Sequence, residues 1–334
     1  MSARIGLIGC GIVTIKAHIP ALMNDPSENI NNPGFVITAL CGKDQDKLNY
    51  IINKLPHAKV FSDYKELIDS NMCDAVLVAT GEHSHLEIAD YALEKGLFVF
   101  IEKPVSDSIE IIQNFLINHN SKLKKIQVGF NKRFYPGFLK YRELKKDDQI
   151  TEIVGGSIYF LTQQGKKPGK EGVLSNLIHM CDIICWIFGE PIDVHAHFSK
   201  ILNDNLKGKT VTGSILTNTG AVISFLFSSS SNWNIPYHEN IEIIDIDKNR
   251  LSIRNSNEVI FSKYIDHNKT ENITYNSSNS IFWNKDVFGY KSQITEFYHL
   301  VTGKTKEPFA DIYSAFTAHK LFDNIFQYDK KELP

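Results

Sequence analysis

Apolar and polar positions follow two rhythms along this chain, and the change of rhythm divides it. In the first part, short apolar runs of strand length recur: Ile5 to Ile8, Phe35 to Leu40, Ala75 to Ala79, Leu97 to Ile101 and Ile126 to Phe130. Between the third and fourth, His85 to Lys95 carries Leu86, Ala89 and Leu93 at helical spacing, with Gly96 placed as a C-cap. Ile109 to Asn120 predicts another helix. Strands alternating with helices imply right-handed crossovers and a parallel sheet.

The pattern changes near Lys124-Lys125. Ile153 to Thr162, Val194 to Phe198, Thr210 to Thr217, Ala221 to Ser228 and Ile241 to Ile246 predict strands of a largely antiparallel sheet. One helix, Val173 to Phe188, interrupts them, and two more, Tyr290 to Thr302 and Asp311 to Phe326, close the chain. The expected class is α/β: a nucleotide-binding domain over residues 1–124, then an α+β domain over 125–334.

The 334 residues agree with two domains, at ~100–200 residues each. A hydrophobic share of 43% supports sizeable cores. Lys+Arg (36) nearly balances Asp+Glu (38), so no polyanion footprint is present and nucleic acid is not an expected partner. No apolar run reaches the ~18 residues of a spanning helix, so no membrane partner is expected. The cysteines, Cys10, Cys41, Cys73, Cys181 and Cys185, are odd in number and scattered. That fits a reducing compartment rather than a disulfide framework. No charged segment followed by an apolar one opens the chain, and a cytoplasmic location is expected. Cys181, Cys185 and His179 stand close together, but no second ligand pair has zinc spacing, so no metal is expected.

The candidate chemistry begins at Gly6 to Thr14, GLIGCGIVT. Gly9 would permit a tight turn after the first strand. Gly11 would let the backbone approach a pyrophosphate at a helix N-terminus, which Ile12 and Val13 open. Thr14 stands at the third position, where glycine or alanine is usual. The second strand ends Leu40-Cys41-Gly42-Lys43, with no acid placed to hold ribose hydroxyls. A small residue followed by a cation leaves room and charge for a 2′-phosphate, which favours NADP over NAD. Asp44 and Asp46 come slightly later.

Four motifs together carry a family resemblance: GLIGCGIVTIKAHIPAL at the start, DAVLVATGEHSHLEIADYALEKGLFVFIEKPVS over Asp74 to Ser106, VGFNKRFYPGF over Val128 to Phe138, and EGVLSNLIHMCDIICWIFG over Glu171 to Gly189. The chain resembles the glucose–fructose oxidoreductase and inositol dehydrogenase (Gfo/Idh/MocA) family over essentially its whole length, Glu102-Lys103-Pro104 being the most specific element. The resemblance implies an N-terminal Rossmann domain followed by an α+β domain with an open-faced, largely antiparallel sheet. It also implies nicotinamide chemistry on a small sugar, cyclitol or nucleotide sugar. Open sheet faces commonly bury against a twin in that family, so a homodimer or homotetramer is expected.

By the same resemblance, Lys103 meets both the nicotinamide ribose and the substrate, with Glu102 and Pro104 as its flanks. Thr80, Gly81, His83 and His85 match the turn that passes under the cofactor, although Gly81 replaces a frequent proline. His179 matches the catalytic histidine. On a helical wheel, Ser175, His179, Asp182 and Trp186 form a stripe beside the apolar face, so Asp182 could orient the imidazole. Ser175 stands where many relatives carry Asp, and Leu177 where Gly is common. Asn131 and Arg133 match site residues near the domain junction, and Trp233, Asn234 and Tyr237 follow a strand where relatives often contact substrate.

The leading expectation is hydride transfer, with catalytic residues Lys103 and His179. Two other classes stay open: a non-redox, NADP-sensing regulator, and a hydrolase or lyase using bound NAD transiently.

Overall fold

The computed structural model describes residues 2–23, 34–162, 169–199, 210–229, 238–276 and 288–329. It comprises two compact units: Met1–Asn131 with Tyr290–Phe316, and Lys132–Gly289 with Thr317–Pro334.

The first unit is built on β1 (Ala3–Ile8), β2 (Phe35–Cys41), β3 (Lys59–Phe61), β4 (Ala75–Val78), β5 (Phe98–Ile101) and β6 (Ile126–Val128). Their order is β3-β2-β1-β4-β5-β6 and every pair is parallel. Helices cover both faces of such a sheet, so its central strands read as unbroken apolar runs; Ala75, Val76, Leu77 and Val78 are all 0% exposed. The strand order reverses between β1 and β4, which opens a crevice at the carboxyl ends of the strands. Helices α1 (Ile19–Leu22), α2 (Gln45–Ile52), α3 (Tyr64–Asp69), α4 (Glu82–Glu94) and α5 (Ile109–His119) make the crossovers. Asp44 and Asp63 cap α2 and α3 by accepting from the Lys47 and Lys65 amides. Gly96, at φ +81°, follows the end of α4 as expected.

This unit runs past the expected boundary at 124/125. Ile126–Val128 pairs with β5 and completes the sheet. The late segment 290–316 also returns to it: the Val128 amide donates to the Ala310 carbonyl at 2.7 Å, and the Gln127 side chain to the Gln293 carbonyl at 2.8 Å.

The second unit holds α6 (Pro136–Lys146), α7 (Gly169–Phe188) and an eight-stranded sheet of β7 (Ile153–Leu161), β8 (Pro191–Phe198), β9 (Thr210–Thr217), β10 (Val222–Ser228), β11 (Glu239–Asp245), β12 (Arg250–Arg254), β13 (Glu258–Asp266) and β14 (Lys269–Asn276). Among the described residues β7 and β10 form its parallel pair and the other pairs are antiparallel. One face is core: Ile158, Ile223, Phe225, Ile241, Ile243, Leu251 and Ile253 are buried. Phe188 of α7 lies over Gly156, where a Cβ would come within 3.0 Å of its ring. The other face is open: the aligned residues Leu216, Val222 and Ile244 are 37%, 56% and 44% exposed. The remaining helices are α8 (Tyr290–Val301) and α9 (Ile312–Phe326).

Candidate active site

The site of the first unit is a cavity of about 720 Å³ at the carboxyl ends of β1 to β4. Ile8 to Gly11 form its floor, and Cys41 to Asp44, Ser62 to Tyr64 and Ala79 to Gly81 its walls. Gly9 has φ +99°, and a Cβ there would collide with the Ala79 carbonyl, so only glycine fits. A Cβ at Gly11 would meet nothing within 4 Å, which leaves that backbone open to a ligand.

Thr14 is accommodated by its hydroxyl. It is 0% exposed, and Oγ1 donates to the Gly9 carbonyl at 2.6 Å. A π-helical turn, Thr14–His18, precedes α1, where the sequence predicts ordinary helix. Ile12 and Val13 open this helix with side chains 62% and 40% exposed, and they do not line the cavity.

At the end of β2, Gly42 and Lys43 line the cavity. Asp44 is engaged with Lys47 through both side-chain and amide contacts, which hold its carboxyl below the usual range. Lys43 is exposed, and no ion pair is seen for it among the described residues. Thr80 bonds Ser84 at 2.8 Å, Gly81 is the N-cap of α4, and His83 is exposed on the cavity wall. Cys10 and Cys41 also line it. Burial pushes their thiols up to about 12 and about 11, which keeps them protonated.

Like Ile12 and Val13, the expected cofactor contacts His85, Glu102 and Lys103 do not line the cavity. His85 is 2% exposed, with Nδ1 3.0 Å from the Pro104 carbonyl and Nε2 3.1 Å from the Thr80 carbonyl. It ties two turns together and does not line the cavity. Glu102 is 8% exposed and meets His18 Nε2 at 2.7 Å and the Lys103 amide at 3.0 Å. Its carboxylate therefore faces inward, because both oxygens have buried donors. Lys103 follows β5 half-buried, and the Lys103–Pro104 bond is cis.

In the second unit, α7 carries the expected stripe with one change. Ser175, His179 and Trp186 are half-buried, as is Asn176, which the sequence reading passed over. Asp182 is 0% exposed and accepts a two-pronged contact from Arg133, Nε to Oδ2 at 2.9 Å and Nη2 to Oδ1 at 2.6 Å. The Arg133 guanidinium also lies 5.4 Å from the Trp186 ring centre. Arg133, expected as a site residue, and Asp182, expected to orient the imidazole, are thus buried against each other, since a desolvated guanidinium needs a fork partner. Asn131, in the first unit, is 6% exposed. Trp233, Asn234 and Tyr237 lie outside the described residues.

Burial raises the Cys181 and Cys185 thiols. Ser62, Asp63, Tyr64, Glu87 and the His18–Glu102 pair were not anticipated. β3 is only three residues long, and a buried histidine partner 84 positions away leaves no local pattern.

The glycine turn, the parallel sheet and the crevice at its switch point define a dinucleotide-binding Rossmann unit, here followed by an α+β unit. Residues 3–130 match the family model GFO_IDH_MocA, described as an oxidoreductase family with an NAD-binding Rossmann fold. The first unit is thus similar to the NAD-binding Rossmann part of this family. It is 23% identical over 194 residues to an inositol 2-dehydrogenase of Salmonella typhimurium, covering 57% of this chain and 56% of that protein. An inositol 2-dehydrogenase of Corynebacterium glutamicum is 29% identical over 197 residues, again 57% and 56% of the two chains. The matched stretch is thus little more than half the length of these relatives. The solved structure of a levoglucosan dehydrogenase in complex with NADH and L-sorbose shares the fold, with a TM-score of 0.80, 18% identity and coverage of 98% and 96%. No described helix is long and apolar enough to cross a membrane.

Proposed function

We propose that this chain is an NAD(P)-dependent oxidoreductase acting on a CH–OH group of a sugar, cyclitol or nucleotide sugar. The observation that supports it most is the cavity at the switch point, floored by Gly9 and Gly11, with Lys103 on the neighbouring strand end. A dinucleotide fits these residues: a positive-φ glycine, an open backbone at Gly11 and a helix N-terminus behind it. When bound, the nicotinamide supplies the hydride acceptor or donor.

In this reading the Lys103 ammonium hydrogen-bonds the substrate oxygen and steadies negative charge on it. His179 takes the hydroxyl proton in oxidation and returns it in reduction. Ser175 and Asn176 extend the polar stripe beside His179 and offer hydroxyl and amide groups to a polyol. Arg133 and Asp182 hold that stripe from behind. Ser175, in place of an acid, favours one second reading, an NADP-sensing protein without turnover. Mass measurement of co-purifying ligand, followed by turnover with a polyol panel, separates the two.

The finer cofactor proposal is NADP. Lys43 offers an uncommitted cation where an acid would otherwise hold ribose hydroxyls, while Asp44 is occupied by Lys47. Lys43→Ala is expected to weaken NADPH but not NADH, by about 1.5–3 kcal/mol. Fluorescence titration of both cofactors checks this, and equal affinities before and after the change would oppose it.

A further inference from the structure

We propose that His18 and Glu102 are positioning residues that fix the turn carrying Lys103 and link it to the phosphate loop. The proposal deepens the oxidoreductase reading and rests on it for the role of Lys103. The chain of contacts lies wholly in the first unit. Thr14 bonds the Gly9 carbonyl at 2.6 Å, and the π turn that Thr14 opens ends at His18. His18 is 0% exposed, with Nε2 2.7 Å from Glu102 Oε1. Glu102 Oε2 then accepts from the Lys103 amide at 3.0 Å.

The pair is built for one geometry. The His18 ring is held edge-on by Phe100 and Tyr290, with centroids 5.5 and 5.6 Å away. His18 Nδ1 is buried and has no hydrogen-bond partner, so a proton on Nδ1 would be left without an acceptor. The ring is therefore set with its Nε2 N–H toward the carboxylate. Gly129 leaves room beside the carboxylate: a Cβ there would stand 3.1 Å from Glu102 Oε1, a tight contact. Burial opposes the charge on Glu102, yet the His18 bond, the Lys103 charge and the Lys103 amide together hold its carboxyl below the usual value. From the other side His85 Nδ1 stands 3.0 Å from the Pro104 carbonyl. Lys103 therefore leaves a turn gripped on both flanks, and a shift of the phosphate loop has a rigid route to it.

The test compares the full-length wild type with His18→Ala, His18→Gln and Glu102→Gln, each first shown to fold by thermal melting. The glutamine at position 18 keeps an N–H donor toward Glu102. Hydrogen exchange of Phe98 to Val105 reads the turn without any need for turnover. Faster Lys103 amide exchange in His18→Ala, with recovery in His18→Gln, is expected. If either position-18 variant fails to fold, Glu102→Gln carries the test, since an amide cannot accept from both donors, and faster exchange is again expected. With a turned-over polyol, His18→Ala should lose kcat by up to about 100-fold, the cost of a small misplacement. Its cofactor affinity should change little, and His18→Gln should regain most of kcat. Unchanged Lys103 exchange in folded His18→Ala and Glu102→Gln would overturn the proposal, as would equal loss of cofactor affinity and kcat without rescue. A wild type that turns over no polyol removes the oxidoreductase reading, while the exchange measurement still decides the positioning role.

Discussion

Gly9 and His85 show how single residues constrain the site. At φ +99° and against the Ala79 carbonyl, Gly9 has no room for a side chain. Gly9→Ala should destabilise the first unit by more than about 1 kcal/mol and abolish cofactor binding, read by melting and by cofactor titration. His85 has a pH signature. Burial outweighs its two carbonyl partners and holds it below the usual imidazole value. The folded form therefore binds its proton less readily than the unfolded chain. Stability that depends on neutral His85 is complete above about pH 6.5 and is lost as pH falls through the lowered folded value. The stability difference between wild type and His85→Gln should be largest above neutrality and shrink in acid. A denaturation series across pH checks this, and a difference that grows in acid would contradict it.

Elements were legible in the sequence where burial leaves a continuous or an alternating apolar pattern. β4 is buried along its whole length and reads as an apolar run, and β9, Thr210–Thr217, lies where the alternation predicts it. Elements at exposed edges were not. Lys59–Phe61 is mostly exposed, and β14 is polar and exposed along most of its length, so neither carries an apolar signal. The π turn at Thr14–His18 is invisible to a 3.6-residue pattern. Lys103 and His179 are proposed from their motifs, whereas the partners of Asp182 and Glu102 depend on tertiary packing. Asp182 gives an element-scale prediction. Asp182→Ala would remove the carboxylate that pairs with the buried Arg133 and should cost about 3–5 kcal/mol. Asp74→Ala breaks only the exposed pair with Arg4, worth at most about 1 kcal/mol. Chemical denaturation of both variants should separate them clearly.

At the scale of the molecule, the second unit presents an open apolar sheet face. We propose that the row Leu216, Val222 and Ile244 buries against a second copy, giving a symmetric homo-oligomer. Light scattering should show a dimer or tetramer, and Val222→Asp should shift it toward monomer. A wild-type monomer at micromolar concentration would contradict that assembly. Hydride transfer itself is tested by following nicotinamide absorbance as NADP⁺ or NAD⁺ is mixed with a panel of sugars, cyclitols and nucleotide sugars. Reduced cofactor should accumulate with at least one of them. His179→Ala should lower turnover by about 10²–10⁴-fold, with cofactor affinity little changed, and Lys103→Ala should impair both turnover and substrate binding. Turnover unchanged in His179→Ala or Lys103→Ala, or no reduced cofactor with any substrate in either direction, would contradict it.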